Sequence, residues 1–253
     1  MKYLLSFVAV GTFLLGISSR AHAQTEVTLL APNPVRSAIT KVAPGFEPKS
    51  GYKLKVTYGR GLGTRDQAAK GDPFDVFIIL PPYPEALASG NVDPKSATTL
   101  ASLTLALGVK KGAPKPDISS PKALKQALLA AKTIAFVDPP QGSDGTTTKT
   151  ALEKLGVYDA ITPKAKLFPN SGNVGNTIAK GDADICIYWL NEMTNPGVDV
   201  VGRLPKQILS PLKVVAVIST HAKDPKAAKA LVAYLSSPEA ETMYKEDGLL
   251  PAH

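Results

Sequence analysis

Short apolar segments alternate with helix-like segments along most of this chain, and that alternation limits the folds it can adopt. Some of the apolar segments, such as "DVFIIL" and "DICIYW", are apolar at nearly every position. Continuous apolar runs of this length are typical of strands that helices cover on both faces. The sequence therefore predicts an α/β protein with mostly parallel sheets. The strand-like segments are residues 27–31, 53–59, 75–80, 103–109, 133–138, 184–189, 199–202 and 213–219.

Prolines that follow a capping residue mark the starts of several helices. Ser120, Asp224 and Ser237 each stand directly before a proline, an order in which the polar side chain caps the helix and the proline takes its first position. Asn33, also followed by a proline, predicts another helix start. Arg36 would lie in the first turn of that helix, where the positive end of the helix dipole makes a cation mildly unfavourable. Its position therefore requires an explanation.

The length of the chain leaves the number of domains open. The 253 residues suffice for one large domain or for two small ones. The predicted strands could form one wide sheet or two smaller sheets, and composition does not decide between them. Two proline-containing segments, residues 110–121 and 203–213, bracket the middle of the chain. That middle portion is a candidate for a separate lobe.

The first 23 residues have the pattern of a secretory signal peptide. Lys2 is followed by an apolar stretch over residues 4–17 and then by Ala-His-Ala, which ends at Ala23. A membrane anchor is the alternative, but the apolar stretch is short for a span, and no later segment is apolar for long enough. We therefore predict cleavage near Ala23, a mature chain that starts near Gln24, a periplasmic location and no membrane-spanning segment.

The charge of the mature chain favours a small anionic ligand over a nucleic acid. Removal of residues 1–23 leaves 27 basic and 21 acidic residues, a net charge of +6. The lysines are scattered and aromatic residues make up only 6% of the chain, which argues against a nucleic-acid surface with stacking side chains. Solubility alone would also explain the charge. The single cysteine, Cys186, excludes a disulfide framework, and its apolar surroundings in the sequence predict a buried packing residue.

Anion-binding groups cluster where predicted strands end and helices begin. In open α/β sheets ligands bind at these junctions, where backbone N–H groups of helix N-termini point outward. Arg60 lies between two glycines, which permit close approach to a ligand, although the segment lacks the spacing of a dinucleotide-binding loop. The candidate ligand-binding residues are Asn33, Arg36, Tyr58, Arg60, Gly142, Ser143, Asp144, Asn173 and Tyr188.

Each of these junctions also has a purely structural interpretation. Asn33 can be a simple helix cap, and Arg36 can be a surface charge that reaches into solvent. Ser143 or Asp144 can cap the helix that follows them, and Tyr188 can belong to the core. The combination favours the functional interpretation, because four separate loops at strand ends carry groups that suit an anion.

Catalytic motifs are weak in this sequence. It contains no H-E-x-x-H motif, no G-x-S-x-G motif and no Cys/His cluster, which argues against zinc and serine-hydrolase chemistry. We predict neither a metal nor a cofactor. The acid–base candidates near the strand-end loops are Asp144, Glu192, Tyr58 and Tyr188. The structural alternative is a helix cap for Asp144 and a solvated loop acid for Glu192.

Beyond these single motifs, the order of several segments resembles a known family. The segments "VTLLAPNPVRSAI", "AAKGDPFDVFII", "DPPQGSDG", "AKGDADICIY" and "DPKAAKALVAYLSSPEAETMYKEDGL" follow one another as in the periplasmic molybdate-binding-like solute-binding proteins of type 2 architecture. The resemblance covers nearly all of the mature chain. It implies two α/β lobes that are joined by two crossover strands and that hold a ligand in the cleft between them. Lobe 1 would comprise residues 24–105 and 213–253, and lobe 2 residues 106–212.

The resemblance to the molybdate binders is weaker at the ligand. They present small hydroxyl residues and backbone amides in the first two loops, whereas this chain has Arg36 and Arg60 there. Two arginines suit an organic di- or tricarboxylate better than a compact tetrahedral oxyanion. A bound anion would also offset the unfavourable helix position of Arg36.

Two functions follow from the resemblance, and we favour the first. It is a monomeric binding protein without a cofactor, which delivers a small anion to the permease of an ABC-type transporter. A related protein of this group, the periplasmic aconitate isomerase, is a cofactor-free enzyme on the same scaffold, so an isomerase is the alternative. In that case Asp144 or Glu192 would be the base, assisted by Tyr58 or Tyr188.

Overall fold

The apolar segments form two five-stranded sheets in the computed structural model, which describes residues 25–252. The predicted signal peptide, residues 1–23, lies outside the described residues. The strands are β1 (Glu26–Pro32), β2 (Lys53–Gly59), β3 (Val76–Ile79), β4 (Val92–Leu103), β5 (Leu105–Lys110), β6 (Ile134–Val137), β7 (Ala165–Phe168), β8 (Ile185–Trp189), β9 (Val198–Arg203) and β10 (Leu212–Ser219).

Helices follow most of the strands and cover the sheets. The α-helices are α1 (Arg36–Val42), α2 (Phe46–Ser50), α3 (Gly63–Lys70), α4 (Pro84–Ala88), α5 (Pro121–Ala130), α6 (Ser143–Lys154), α7 (Tyr158–Ile161), α8 (Ser171–Lys180), α9 (Pro225–Leu235) and α10 (Pro238–Glu246). Single 3₁₀ turns occupy Asn33–Val35, Ala43–Gly45, Thr162–Lys164 and Leu190–Glu192.

Both sheets are mixed, so the prediction of mostly parallel sheets is wrong. The first sheet has the order β2-β1-β3-β10-β4 and the second has the order β7-β6-β8-β5-β9. Strand β10 is antiparallel to both of its neighbours, β3 and β4, and β5 is antiparallel to β8 and β9. The remaining pairs, which involve β1 and β6, are parallel. The antiparallel strands are those next to the passages of the chain from one sheet to the other.

The chain passes between the sheets twice, and this gives two lobes. Strand β4 belongs to the first sheet and β5 to the second, with Thr104 between them; β9 and β10 make the return passage. We call the first sheet with its helices lobe 1 and the second sheet with its helices lobe 2. The predicted α/β architecture of two lobes and two crossovers is confirmed. The boundaries 24–105, 106–212 and 213–253 stay a prediction.

The predicted helix caps are confirmed at three positions. The side chains of Ser120, Asp224 and Ser237 each accept hydrogen bonds from backbone N–H groups in the first turn of α5, α9 and α10. The prediction of a cap at Asn33 is wrong. The chain makes a 3₁₀ turn there before α1 starts at Arg36, and the Asn33 side chain accepts hydrogen bonds from Arg36 instead of from the backbone.

Large apolar side chains fill the space between sheets and helices. In lobe 1 Leu29, Phe46 and Ile78 are completely buried, and in lobe 2 Phe136 and Trp189 occupy the corresponding positions between β-sheet and helices. Cys186 is also buried and unpaired, as the sequence predicts. Within residues 25–252 no helix combines the length and the apolar character that a membrane crossing requires.

Candidate functional site

A cavity of about 240 Å³ lies between the lobes, where several strands end and helices begin. Lobe 1 contributes the loops that follow β1 and β2, and lobe 2 contributes the N-termini of α6 and α8 and the turn after β8. The cavity is therefore bordered on both sides by groups that point out of the sheets. Its lining residues are Asn33, Pro34, Arg60, Gly61, Val137, Gln141, Gly142, Ser143, Asp144, Pro169, Asn170, Ser171 and Glu192.

Three hydrogen bonds, donated by two residues, connect the lobes at this cavity. The guanidinium of Arg60 donates through Nη2 to the Gln141 side-chain oxygen at 2.9 Å and to the Gln141 carbonyl oxygen at 3.3 Å. The amide of Asn191, which is buried, donates to the Pro34 carbonyl oxygen at 2.8 Å. The lobes are thus in contact, and Arg60 already meets an oxygen from lobe 2.

The N-termini of two helices face the cavity from lobe 2. Gly142 precedes α6 and has no side chain that could cap it, while in the first turn the Asp144 carboxylate accepts a hydrogen bond from the N–H of Gly145. At α8 the Asn170 side chain accepts a hydrogen bond from the N–H of Asn173. Helix N-termini are electropositive and offer N–H donors, which makes this wall of the cavity favourable for an anion.

Asp144 brings a buried carboxyl group into this electropositive wall. It lies in the first turn of α6 and its exposed fraction is 7%. Burial raises the pKa of the carboxyl to about 6, although backbone N–H groups, including that of Gly145 at 3.0 Å, lower it in part. Asp144 is therefore buried and not solvated. It is not the N-cap residue of α6, which is Gly142, but its carboxylate accepts a hydrogen bond from an N–H group of the first turn, so a role in stabilising the start of α6 stays an alternative.

Glu192 brings a second carboxyl group into the same cavity. It lies in the 3₁₀ turn after β8 and is half-buried. Burial is the main reason why its pKa is raised to about 7, and repulsion by Asp144 raises it further, while a hydrogen bond with Ser171 lowers it in part. Ionisation of Asp144 therefore disfavours ionisation of Glu192.

Arg36 lines a second cavity of about 280 Å³, which shares Asn33, Ser171 and Glu192 with the first. Its Nη2 donates to Asn33 Oδ1 at 2.9 Å, and its guanidinium lies 4.1 Å from the centre of the Tyr58 ring. Two neighbours thus hold the guanidinium next to the cleft. An anion-binding role for Arg36 stays a prediction.

Three of the predicted site residues lie outside both cavities. Tyr58 lies beneath Arg36, and its hydroxyl forms a hydrogen bond with Thr40 at 3.0 Å on the outer side of lobe 1. Tyr188 is buried in the part of the core covered by α8, and its hydroxyl has no hydrogen-bond partner among the described residues. Asn173 is exposed in the first turn of α8.

Several residues of the cavity are not among the predicted site residues. Gln141 and Gly61 lie next to predicted site residues, but nothing in the sequence pairs them with the opposite lobe. Asn170 and Ser171 follow β7, a strand that the apolar pattern does not reveal. The segment "PNSGN" that contains them has the same composition of small and polar residues as the loop before α6, and this was the available signal.

The arrangement combines anion recognition with acid–base groups. Arg60 and two helix N-termini suit carboxylates, while the carboxyl pair, with pKa values near neutrality, can release and accept protons. Within the described residues no cluster of three or more His, Cys, Asp or Glu side chains could hold a metal ion. The cavity is therefore suited to an anionic substrate whose protons move.

Comparison with known proteins places this chain in a family. Residues 27–250 match the family model described as "Bacterial extracellular solute-binding protein". The chain belongs to this family. An aconitate isomerase from Pseudomonas sp. is 31% identical, and the match covers 96% of this chain and 95% of the relative. The molybdate-binding protein of Azotobacter vinelandii is 27% identical, with 95% of each chain covered.

Solved structures of similar proteins share the fold. The Azotobacter vinelandii periplasmic molybdate-binding protein superposes with a TM-score of 0.69 at 21% identity, and the match covers 88% of this chain and 98% of that one. The similarity confirms the type 2 periplasmic binding protein architecture. At this identity the similarity extends to the fold alone. The relatives matched by sequence include both molybdate-binding proteins and an aconitate isomerase.

Proposed function

We propose that the protein is a cofactor-free isomerase of an unsaturated tricarboxylate of the aconitate type, which acts by moving a proton along an allylic system. The observation that carries the proposal is the pair of acids, Asp144 and Glu192, in one anion-oriented cavity, with pKa values raised to about 6 and about 7. General acid–base catalysis works best when pKa values lie near the operating pH. The 31% identity with an aconitate isomerase supports the same reaction.

A site that only binds an anion has no use for this pair. A carboxyl group is costly to bury, and its ionised form repels an anionic ligand. Asp144 nevertheless lies in the first turn of α6, beside the donors that would hold the anion. Proton transfer explains why two such groups occur in a cavity that otherwise favours negative charge. We therefore prefer the isomerase to the binding protein, which the sequence alone favours.

In the proposed reaction the pair shares one proton at a pH between its two pKa values. The ionised member removes a proton from the CH₂ group of the substrate, and the electron pair of that C–H bond forms the new C=C bond. The protonated member gives its proton to the far carbon of the former double bond. Arg60 and the N–H groups at the starts of α6 and α8 would hold the carboxylates and stabilise the negative charge that develops on them. The positions of Tyr58 and Tyr188 outside the cavity leave them no part in this step.

The second candidate is a solute-binding protein that closes around a polycarboxylate and delivers it to an ABC transporter permease. The family description favours it, and so do the molybdate-binding relatives. The hydrogen bonds from Arg60 to Gln141 and from Asn191 to Pro34 are also what hinge closure around a solute would form. Under both functions we propose export through the signal peptide of residues 1–23, a periplasmic location and a monomer without a metal or cofactor.

Turnover distinguishes the two functions. We expect the purified mature protein to convert trans-aconitate into cis-aconitate, which proton NMR resolves directly. Thermal stabilisation by trans-aconitate without any conversion would contradict the isomerase and support the binding protein. A protein that neither binds nor converts the compound would contradict both functions for this ligand.

Variants of the acid pair identify the catalytic groups. We expect Asp144→Asn and Glu192→Gln each to reduce turnover at least about a hundredfold while binding persists, because each removes a proton donor or acceptor but keeps the shape of the side chain. Glu153→Gln is the matched control, since Glu153 is an exposed acid on the same helix and pairs only with Lys149. Undiminished turnover in both Asp144→Asn and Glu192→Gln would exclude the pair as the acid and base.

A further inference from the structure

Gly61 of lobe 1 and Ser143 of lobe 2 lie against each other across the cleft. A Cβ atom on Gly61 would lie 2.5 Å from Ser143 Oγ, 2.9 Å from Ser143 Cβ and 3.5 Å from Pro34 Cγ. The first two distances are shorter than non-bonded carbon and oxygen atoms tolerate. The backbone of Gly61 is not in the left-handed region, so other residues could adopt it. Lack of space, and not conformation, therefore requires glycine here.

Ser143 is held in place and cannot move aside easily. It is buried in the first turn of α6, and its Oγ accepts a hydrogen bond from Trp189 Nε1 at 3.4 Å. Trp189 is itself completely buried in the core of lobe 2. A substitution at Gly61 would also meet Ser143 Cβ, which no side-chain rotation can displace. The relief of such a clash would have to come from separation of the lobes.

The neighbours of these two residues are the groups that the proposed reaction needs. Arg60 precedes Gly61 and belongs to the lobe 1 wall of the cavity, and Asp144 follows Ser143 in the lobe 2 wall. The contact between Gly61 and Ser143 therefore fixes how far the anchoring guanidinium lies from the carboxyl group. A small change at this contact moves Arg60 and Asp144 relative to each other by a similar amount.

We propose that Gly61 and Ser143 form the closure contact of the cleft and act as positioning residues, which set the separation between Arg60 and Asp144 at which the substrate reacts. This inference rests on the proposed function, because it assigns the contact to the same cavity and the same reaction. It also predicts that the lobes of a Gly61 variant cannot come as close together, whatever ligand the cleft holds.

The test compares Gly61→Ala with Gly63→Ala. A Cβ on Gly63 would meet only Arg60 Cβ, at an ordinary 3.7 Å, so Gly63→Ala is the matched control in the same loop. We expect Gly61→Ala to lower kcat for trans-aconitate about a hundredfold, because a displacement near 1 Å has that effect on a positioned reaction. We expect KM to change less and Gly63→Ala to behave as the wild type. Equal kinetics for the two variants would overturn the proposal.

Ser143→Gly provides a second test, since it removes the side-chain atoms that the Cβ introduced by Gly61→Ala would contact. We expect Gly61→Ala to cost much less in the Ser143→Gly background than in the wild type, as contacting residues couple in a double-mutant cycle. An equal cost in both backgrounds would mean that Gly61 acts through some other neighbour. If circular dichroism shows that Gly61→Ala does not fold, Ser143→Thr replaces it, because it adds a methyl group on the other side of the contact.

Small-angle scattering separates failure of this proposal from failure of the proposed function. We expect Gly61→Ala to have a larger radius of gyration than the wild type and Gly63→Ala, with or without trans-aconitate. A wild-type protein that does not convert trans-aconitate would contradict the isomerase, but the difference in scattering would remain. Equal radii for the three proteins would overturn the closure contact even if the wild type is an active isomerase.

Discussion

At the scale of single residues, the burial of Asp144 makes a measurable contribution to stability. Its pKa rises from an ordinary value of 3.8 to about 6 on folding, because burial disfavours the charged form. The folded protein therefore keeps a proton that the unfolded chain releases, and the stabilisation present at low pH is lost as the pH rises through 6. We expect Asp144→Asn to raise the free energy of unfolding by on the order of 1–3 kcal/mol at pH 8 and to change it little at pH 4.

Urea unfolding at the two pH values measures this effect. Glu153→Gln is again the control, because Glu153 is exposed and its replacement should not change the difference between the two pH values. If Asp144→Asn instead lowered stability at pH 8, the carboxylate would be stabilising the N-terminus of α6. That result would restore the helix-cap interpretation and remove the physical reason for a raised pKa.

The chemistry of the site was only partly predictable at this scale. The sequence shows that Asp144 and Glu192 follow strands. It does not show that these two residues, which are 48 positions apart in the chain, line one cavity and repel each other. Local sequence also led to the expectation that Arg36 needs an anion. In the structure Asn33 and the Tyr58 ring contact its guanidinium, and these contacts offset part of its unfavourable position at the helix start. Burial and pairing depend on the whole fold and are therefore not visible in a local pattern.

At the scale of elements, Lys164 completes the C-terminus of α5. Its ammonium group donates to the carbonyl oxygens of Leu128, Leu129 and Ala131 at 3.1, 2.7 and 2.6 Å. These carbonyl groups have no partner within the helix, and the C-terminal end of a helix attracts a cation. We expect Lys164→Met to lower the free energy of unfolding by about 1–2 kcal/mol, because the charge and its hydrogen bonds are lost while the aliphatic stem remains.

The control for this variant lies at the other end of the same helix. Lys122 is exposed in the first turn of α5, where a cation opposes the helix dipole, so Lys122→Met should leave stability unchanged or raise it slightly. Chemical denaturation of both variants gives the comparison. An equal loss in the two variants would show that the hydrogen bonds of Lys164 contribute nothing beyond a general surface effect.

Element prediction succeeded where a strand is apolar and failed where it is not. The apolar pattern located β3, β6 and β8, which are buried along their whole length, and β1, which is buried except at Glu26 and Thr28. It missed β4 except for Leu103, because Pro94 and a series of polar residues stand in the first part of this strand, which is only partly covered. It also missed β7, a four-residue strand at the edge of its sheet. Edge and crossover strands are stabilised by pairing with strands that are distant in sequence. Hydrophobic periodicity and local composition do not reveal such pairing.

At the scale of the whole molecule, two helices of lobe 2 direct their N-termini to the cleft, and lysines lie at the opposite, C-terminal ends of helices in this lobe. Lys110, Lys125 and Lys164 donate to backbone carbonyl groups at or just beyond the C-terminal ends of α8, α6 and α5. The opposite ends of α6 and α8 lie in the wall of the cavity. Some of the excess lysines therefore interact with the negative ends of helices on the side of the lobe away from the cleft. The positive N-terminal ends of α6 and α8 face the cavity, where a ligand would bind.

This arrangement predicts which class of anion the whole molecule takes up. A compact oxyanion such as molybdate would place all its charge beside Asp144 and Glu192, whereas a longer polycarboxylate can put its charged groups on Arg60 and the helix N-termini and its CH₂ group against the acids. We expect tricarboxylates at about 100 times their dissociation constant to stabilise the protein by about 2.7 kcal/mol, and molybdate or tungstate to have little effect.

A thermal-shift panel of oxyanions, sugars, amino acids and carboxylates at pH 8 measures this selectivity. Arg60→Gln should abolish most of the shift, since it removes a charge-assisted bond worth about 1.5–3 kcal/mol, and Arg203→Gln is the control because Arg203 lies on a different cavity, away from the cleft. Because the acid pair is ionised at pH 8, the shift should grow when the pH is lowered toward 6 and repulsion of the ligand decreases. Stabilisation by molybdate and tungstate alone would show that the arginine and the carboxyl pair do not select the ligand.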